Sequence, residues 1–75
     1  MKEQLMEILK ELRPDVDFEN EKALVTDGIL DSFDIVSLVG ELNAEFSISI
    51  GVDDLEPENF DTVEAMEALI NDLSD

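Results

Sequence analysis

Cysteine and histidine are both absent from this 75-residue chain. Without cysteine there are no disulfide staples, no thiolate zinc sites and no cysteine nucleophile. Without histidine there is no imidazole base, no Ser-His pair and no His-ligated metal. Positive charge is scarce as well: Lys and Arg total 4 against 21 Asp and Glu, a formal net charge of -17. Nucleic acid is therefore a poor partner, since binding it requires bases to neutralise phosphates. Anionic membrane surfaces repel the chain for the same reason. No apolar run approaches the roughly 18 residues of a membrane span. Met1-Lys2-Glu3-Gln4 leads into alternating polar and apolar residues rather than the apolar block of a signal peptide. These absences lead us to expect a soluble, acidic, cytoplasmic protein.

What is present suffices for one small domain over residues 1–75. A chain of this length buries only about 60% of its unfolded surface, but 44% of its residues are apolar, enough to build a core. The charge is uneven. All four bases (Lys2, Lys10, Arg13, Lys22) lie in the first 22 residues beside seven acids, and the rest of the chain holds fourteen acids and no base. That imbalance destabilises the compact state at low salt and suits a protein that meets basic partners.

Helical periodicity dominates. Leu5, Ile8, Leu9 and Leu12 make an amphipathic stripe over residues 1–13, which Pro14 ends. Residues 14–31 lack periodicity and carry Asp15, Asn20, Asp27 and Gly28; they read as a long loop pinned by Val16, Phe18, Leu24, Val25, Ile29 and Leu30. So long a loop in so small a domain either hides a helical turn near Glu19–Leu24 or is functional. A second helix is expected over Ser32–Phe46, with Val36, Val39, Leu42 and Phe46 on one face and Ile35 and Leu38 beside them. Asp31 fits its N-cap and Asp34 the third position of a capping box. Gly40 in its interior implies either close packing or tolerance. Pro57 suits the first position of a brief helix within Asp53–Phe60, and Val63, Met66, Leu69, Ile70 and Leu73 mark a last helix over Thr62–Leu73, capped by Asp61 or Thr62. The expected fold is all-α: a small four-helix bundle of three main helices and one short one, with a long first loop.

Acids, hydroxyls and amides are the remaining chemistry. The best-placed hydroxyl is Ser32, in Gly28-Ile29-Leu30-Asp31-Ser32-Phe33-Asp34, at a helix start that ends a long loop. Backbone N–H groups and the helix dipole favour an attached phosphate there. No histidine can activate this serine, so it is a poor nucleophile for self-catalysed chemistry and a better target for another enzyme. Read alone, Asp-Ser ahead of an apolar helix is only a cap.

Asp31-Ser32-Phe33-Asp34, followed by Val36, Leu38, Val39, Leu42, Glu45 and Phe46, resembles the second-helix signature of acyl carrier proteins. The likeness continues through Ile50, Asp61-Thr62-Val63 and the last helix, and length, acidity and the loop-then-serine order agree with it. The resemblance implies a carrier and not an enzyme. A phosphopantetheinyl transferase would use coenzyme A and a divalent cation to place 4'-phosphopantetheine on Ser32. The arm's thiol would hold an acyl or aminoacyl group as a thioester, and the tether would raise its effective concentration at each docked enzyme. Partners of the family dock basic patches against the second helix, which by position assigns Asp31, Phe33, Asp34, Glu41 and Glu45 to partner binding. Phe33 could instead fold into the core, and Glu41 and Glu45 could be an ordinary solvated face. The implied partners are the transferase, an acyl- or aminoacyl-loading ligase, and downstream transferases or synthases, in fatty acid, polyketide or related biosynthesis. The carrier itself is expected to be monomeric, without membrane insertion. The Gly28-Ile29-Leu30-Asp31-Ser32 approach is more similar to stand-alone D-alanyl carriers, which serve teichoic acid D-alanylation, and to some discrete secondary-metabolism carriers. Gly40 stands where fatty-acid carriers have a bulky residue, so the cargo stays open between an acyl group and an amino acid.

Two other readings compete. Asp15, Asp17 and Glu19 alternate as in a calcium loop, but Asn20 stands where glycine is required and Thr26 where glutamate is. No metal site is expected. The other is a helical protein-interaction module whose Ser32 is never modified.

Overall fold

The computed structural model describes residues 1–74. Its elements run α1 (Lys2–Leu12), α2 (Ser32–Phe46), a 3₁₀ turn (Val52–Asp54), α3 (Pro57–Phe60) and α4 (Val63–Leu73). Three main helices and one short helix form the all-α bundle expected from the periodicity.

Each main helix is bounded by chemistry visible in the sequence. The Arg13 N–H still donates to the Leu9 carbonyl, and Pro14 then stops α1. Asp31 caps α2 through a reciprocal box: the Asp34 N–H donates to Asp31 Oδ1 at 2.9 Å, and the Asp31 N–H donates to Asp34 Oδ2 at 3.2 Å. Thr62, rather than Asp61, caps α4, its Oγ1 accepting from the Ala65 N–H at 3.0 Å. Ser47 ends α2 in the left-handed region, φ 54° and ψ 47°, where glycine is the usual occupant. Within Asp53–Phe60 the brief helix begins at Pro57 as expected, and a separate 3₁₀ turn precedes it. Gly51 and Asp54 close the 3₁₀ turn, and Pro57 opens α3 two residues after that turn's Leu55 cap.

α1 and α2 lie antiparallel: Arg13 meets Asp34 at one end and Gln4 Nε2 donates to Glu45 at the other. Leu5 and Leu9 of α1, Leu38 and Leu42 of α2, and Met66 and Ile70 of α4 meet in the core. No polar or charged side chain is buried among the described residues. The Cα radius of gyration, 11.1 Å, is close to the roughly 11 Å expected of a folded chain this long. The charge does not expand it.

The loop between α1 and α2 is part of this core. Phe18, Leu24 and Leu30 are buried, with Val16, Val25 and Ile29 packed half-buried against them. Two single helical turns shape it, one overlapping each end of the Glu19–Leu24 segment where a turn was expected. The Glu21 N–H donates to the Asp17 carbonyl, and the Asp27 N–H to the Ala23 carbonyl. Gly28 follows at φ 75°, a conformation that turns the chain toward α2 and that a side chain would strain. Val36 departs from expectation. It is 70% exposed, because the buried face of α2 is set by Leu38 and Leu42 with Ile35, Val39 and Phe46 beside them.

Candidate functional site

The chemistry converges on the N-terminal end of α2. Ser32 is its first residue and is exposed. Its own N–H and that of Phe33, the first two of the helix, have no intrahelical acceptor. With the positive end of the dipole they make a place for an anion. The next amide, Asp34, is taken by Asp31 Oδ1. An exposed hydroxyl beside two open amides fits a phosphoester. No histidine exists to activate this hydroxyl.

Two anchors hold the loop that delivers Ser32. Arg13 is the first. Its Nε and Nη2 donate to the two oxygens of Asp15 at 3.1 and 3.0 Å. Its Nη1 donates both to the Ile29 carbonyl at 3.0 Å and to Asp34 Oδ2 at 2.8 Å. Asp15, then Asp34, raise the guanidinium above its ordinary pKa, and Arg13 in turn holds the Asp15 carboxyl below its own. Asp61, at the start of the α3–α4 junction, is the second anchor. Its Oδ2 accepts from Thr26 Oγ1 at 2.7 Å, and its Oδ1 accepts from the N–H groups of Thr26 and Val25 at 2.8 and 2.9 Å. Its backbone carbonyl accepts from the Leu24 N–H at 3.1 Å. These bonds, Thr26 Oγ1 foremost, depress the Asp61 pKa.

The residues assigned by position fall into three settings. Asp31 is exposed, one oxygen bound to the helix amide. Phe33 is 84% exposed; it does not fold into the core. With Val36 one turn on, it forms an apolar crest beside Ser32. Asp34, Glu41 and Glu45 lie along the α1 edge of the helix. The Asp34 side chain is only 15% exposed and is paired with Arg13. Glu41 is exposed in the groove between α1 and α2, beside Ile8, Glu11 and Leu12. Glu45 is exposed and accepts from Gln4 at 3.3 Å. Sequence reasoning missed Arg13 and Asp61 as anchors of this end. The nearest signal was Arg13-Pro14-Asp15, a base and an acid two residues apart across a helix stop.

No group of acids with metal-binding geometry occurs among the described residues. None of the described helices is long and apolar enough to cross a membrane.

A family profile described as a phosphopantetheine attachment site matches residues 2–70. D-alanyl carrier proteins of two strains of Lactococcus lactis subsp. cremoris, MG1363 and SK11, are each 31% identical over 81 aligned positions, covering 100% of this chain and 98% of theirs. No solved structure matches the chain significantly. The exposed serine at an open helix start, the loop fastened behind it and the match over nearly the whole chain agree: the chain belongs to the phosphopantetheine-attachment family, and is a carrier protein whose prosthetic group is covalent 4'-phosphopantetheine.

Proposed function

We propose that Ser32 is the attachment residue and that the chain carries a carboxylic acid, most simply an amino acid, as a thioester between partner enzymes. The observation that carries the reading is the exposed Ser32 at the first position of α2, with unclaimed amides beside it. Attachment is a displacement at phosphorus. Ser32 Oγ bonds to the pantetheine-side phosphorus of coenzyme A as that phosphorus releases its pyrophosphate bridge. Adenosine 3',5'-bisphosphate leaves with the bonding electrons, and the hydroxyl proton passes to a base on the transferase. The attached group supplies a thiol on a long flexible arm. The chain's own residues present the hydroxyl, offer the Ser32 and Phe33 amides to the phosphoester, and give partners an acidic surface with the Phe33–Val36 crest.

An amino acid is favoured over a fatty or polyketide acyl chain by the relatives named as D-alanyl carriers and by the Gly28-Ile29-Leu30-Asp31-Ser32 approach. The partners that follow are a phosphopantetheinyl transferase, an adenylating ligase and an acceptor transferase, each with a basic docking patch. The cytoplasm, where coenzyme A is available, is the corresponding location.

Incubation with a promiscuous transferase, Mg²⁺ and coenzyme A, followed by intact mass measurement, tests the attachment. Wild type gains one phosphopantetheine and Ser32→Ala gains none. No gain on wild type, or an equal gain on the variant, leaves an unmodified interaction module as the better description. Loading of the modified protein by a D-alanine ligase with ATP then tests the cargo.

A further inference from the structure

Arg13 lies outside α2, yet it touches both parts of the chain that meet at Ser32. Its Nη1 holds the carbonyl of Ile29, three residues before the serine, and the carboxylate of Asp34, two residues after it. The same Asp34 oxygen accepts from the Asp31 N–H. One guanidinium nitrogen therefore joins the end of the loop, the cap of α2 and the C-terminal end of α1. The other two nitrogens are fixed on Asp15, so the fork cannot rotate without breaking that pair.

We propose that Arg13 is a positioning residue for the modification of Ser32: the bridge from Ile29 to Asp34 fixes the entry angle of the chain into α2, and with it the direction in which the serine hydroxyl is presented. The inference rests on Ser32 being the attachment residue. Its physical basis is that group transfer requires near-attack geometry, and a displacement of about 1 Å by a distant residue is costly to rate. None of the Arg13 hydrogen bonds reaches the exposed crest at Phe33 and Val36. Its loss therefore acts on turnover and not on docking. Lysine does not replace it, because one ammonium cannot hold the Asp15 fork, the Ile29 carbonyl and the Asp34 carboxylate together.

The test is steady-state transfer of phosphopantetheine to the full chain, with kcat and KM for the carrier measured separately. Arg13→Gln and Arg13→Lys each lower kcat by about tenfold and leave KM within about twofold. The double variant Arg13→Gln/Asp34→Asn separates geometry from charge at the start of α2: the only carboxylate left without its partner is the exposed Asp15, yet the variant stays as slow as Arg13→Gln. Thr62→Ala, which weakens the α4 cap away from the bridge, serves as the stability control and keeps normal kcat. In Arg13→Gln, amide exchange quickens at Leu30 and Ile35, whose N–H groups donate to Leu24 and Asp31.

Full kcat in Arg13→Lys or in the double variant overturns the proposal, as does a rise in KM with kcat unchanged. A slow Thr62→Ala, matching Arg13→Gln in both stability and kcat, reduces Arg13 to ordinary stabilisation and overturns it too. Wild type that accepts no phosphopantetheine removes the Ser32 reading and this proposal together. Normal modification of wild type and of Arg13→Gln removes this proposal alone.

Discussion

Asp61 and Thr26, 35 residues apart, are joined twice: Thr26 Oγ1 and the Thr26 N–H donate to the two oxygens of one carboxylate, at 2.7 and 2.8 Å. This bond pair fastens the middle of the long loop to the α3–α4 junction. Asp61→Asn keeps one acceptor oxygen and turns the other position into a donor facing the Thr26 hydroxyl. We expect a lower Tm, and amide exchange faster at Leu24, Val25 and Thr26 than at Leu9 in α1. Equal exchange rates across wild type and variant at those three amides would show that the anchor is dispensable.

The same carboxylates set a pH dependence of two signs. Glu56 has its pKa raised, first by a hydrogen bond with Glu58 and then by that residue's charge, so the folded state holds this proton more tightly. Stability contributed by Glu56 therefore increases as pH falls from neutrality through its raised pKa. Asp61, Asp15 and Glu64 have lowered pKa values, held down respectively by Thr26, by Arg13, and by the Glu64 N–H with Lys22. Their contributions are present above the ordinary carboxylate range and are lost as pH drops through their folded pKa values. Thermal unfolding at fixed ionic strength should thus give a Tm that first rises as pH falls from neutrality and then falls on further acidification. A Tm that falls monotonically from neutrality contradicts this assignment.

Gly40 lies in the middle of α2, and a Cβ built there meets nothing within 4 Å. Tolerance, not close packing, explains the glycine. Gly40→Ala should stabilise the protein by about 1 kcal/mol through helix propensity, raising Tm by about 4–8 °C in a domain of this size. Chemical denaturation with unchanged m-value checks it.

Ser47 takes a positive φ of 54° to end α2, with its N–H and that of Ile48 both directed at the Asn43 carbonyl. Ser47→Gly removes the cost of a side chain there and should add about 0.5–1 kcal/mol. Ser47→Val, β-branched and unable to adopt that conformation cheaply, should subtract at least as much. The ordering Gly, Ser, Val in urea midpoints is the measurement.

Phe18 shows why the first loop folds as part of the bundle. Its ring is 2% exposed, in a segment without regular structure. Phe18→Ala should cost about 3–5 kcal/mol, a large fraction of the stability of so small a domain. A cost below about 1 kcal/mol in denaturant titration would mean that the loop packs independently of the helices.

The helices were legible because their boundaries are local. Pro14, Asp31 and Thr62 act within four residues of where they stand, and Leu38 and Leu42 repeat at the helical period. Ser32 was legible for the same reason, as the residue after a cap. The bridges behind it were not. Arg13 and Asp34 are 21 residues apart, and their meeting depends on the path of a loop without periodicity. Val36 misled because α2 carries more apolar residues than its buried face accommodates. Only packing reveals which of them remain outside; for Phe33 and Val36 the answer lies next to the serine.

The last base, Lys22, lies within the first loop, and this has an electrical consequence. α1 is close to neutral, Lys2 and Lys10 offsetting all but one of Glu3, Glu7 and Glu11, while everything after Lys22 is purely acidic. The molecule is thus a lopsided charge as well as a large one. In the field of a cationic surface it experiences a torque that swings α1 to the rear and α2 and α4 to the front within about a Debye length, roughly 10 Å at 0.1 M salt. Orientation begins before contact.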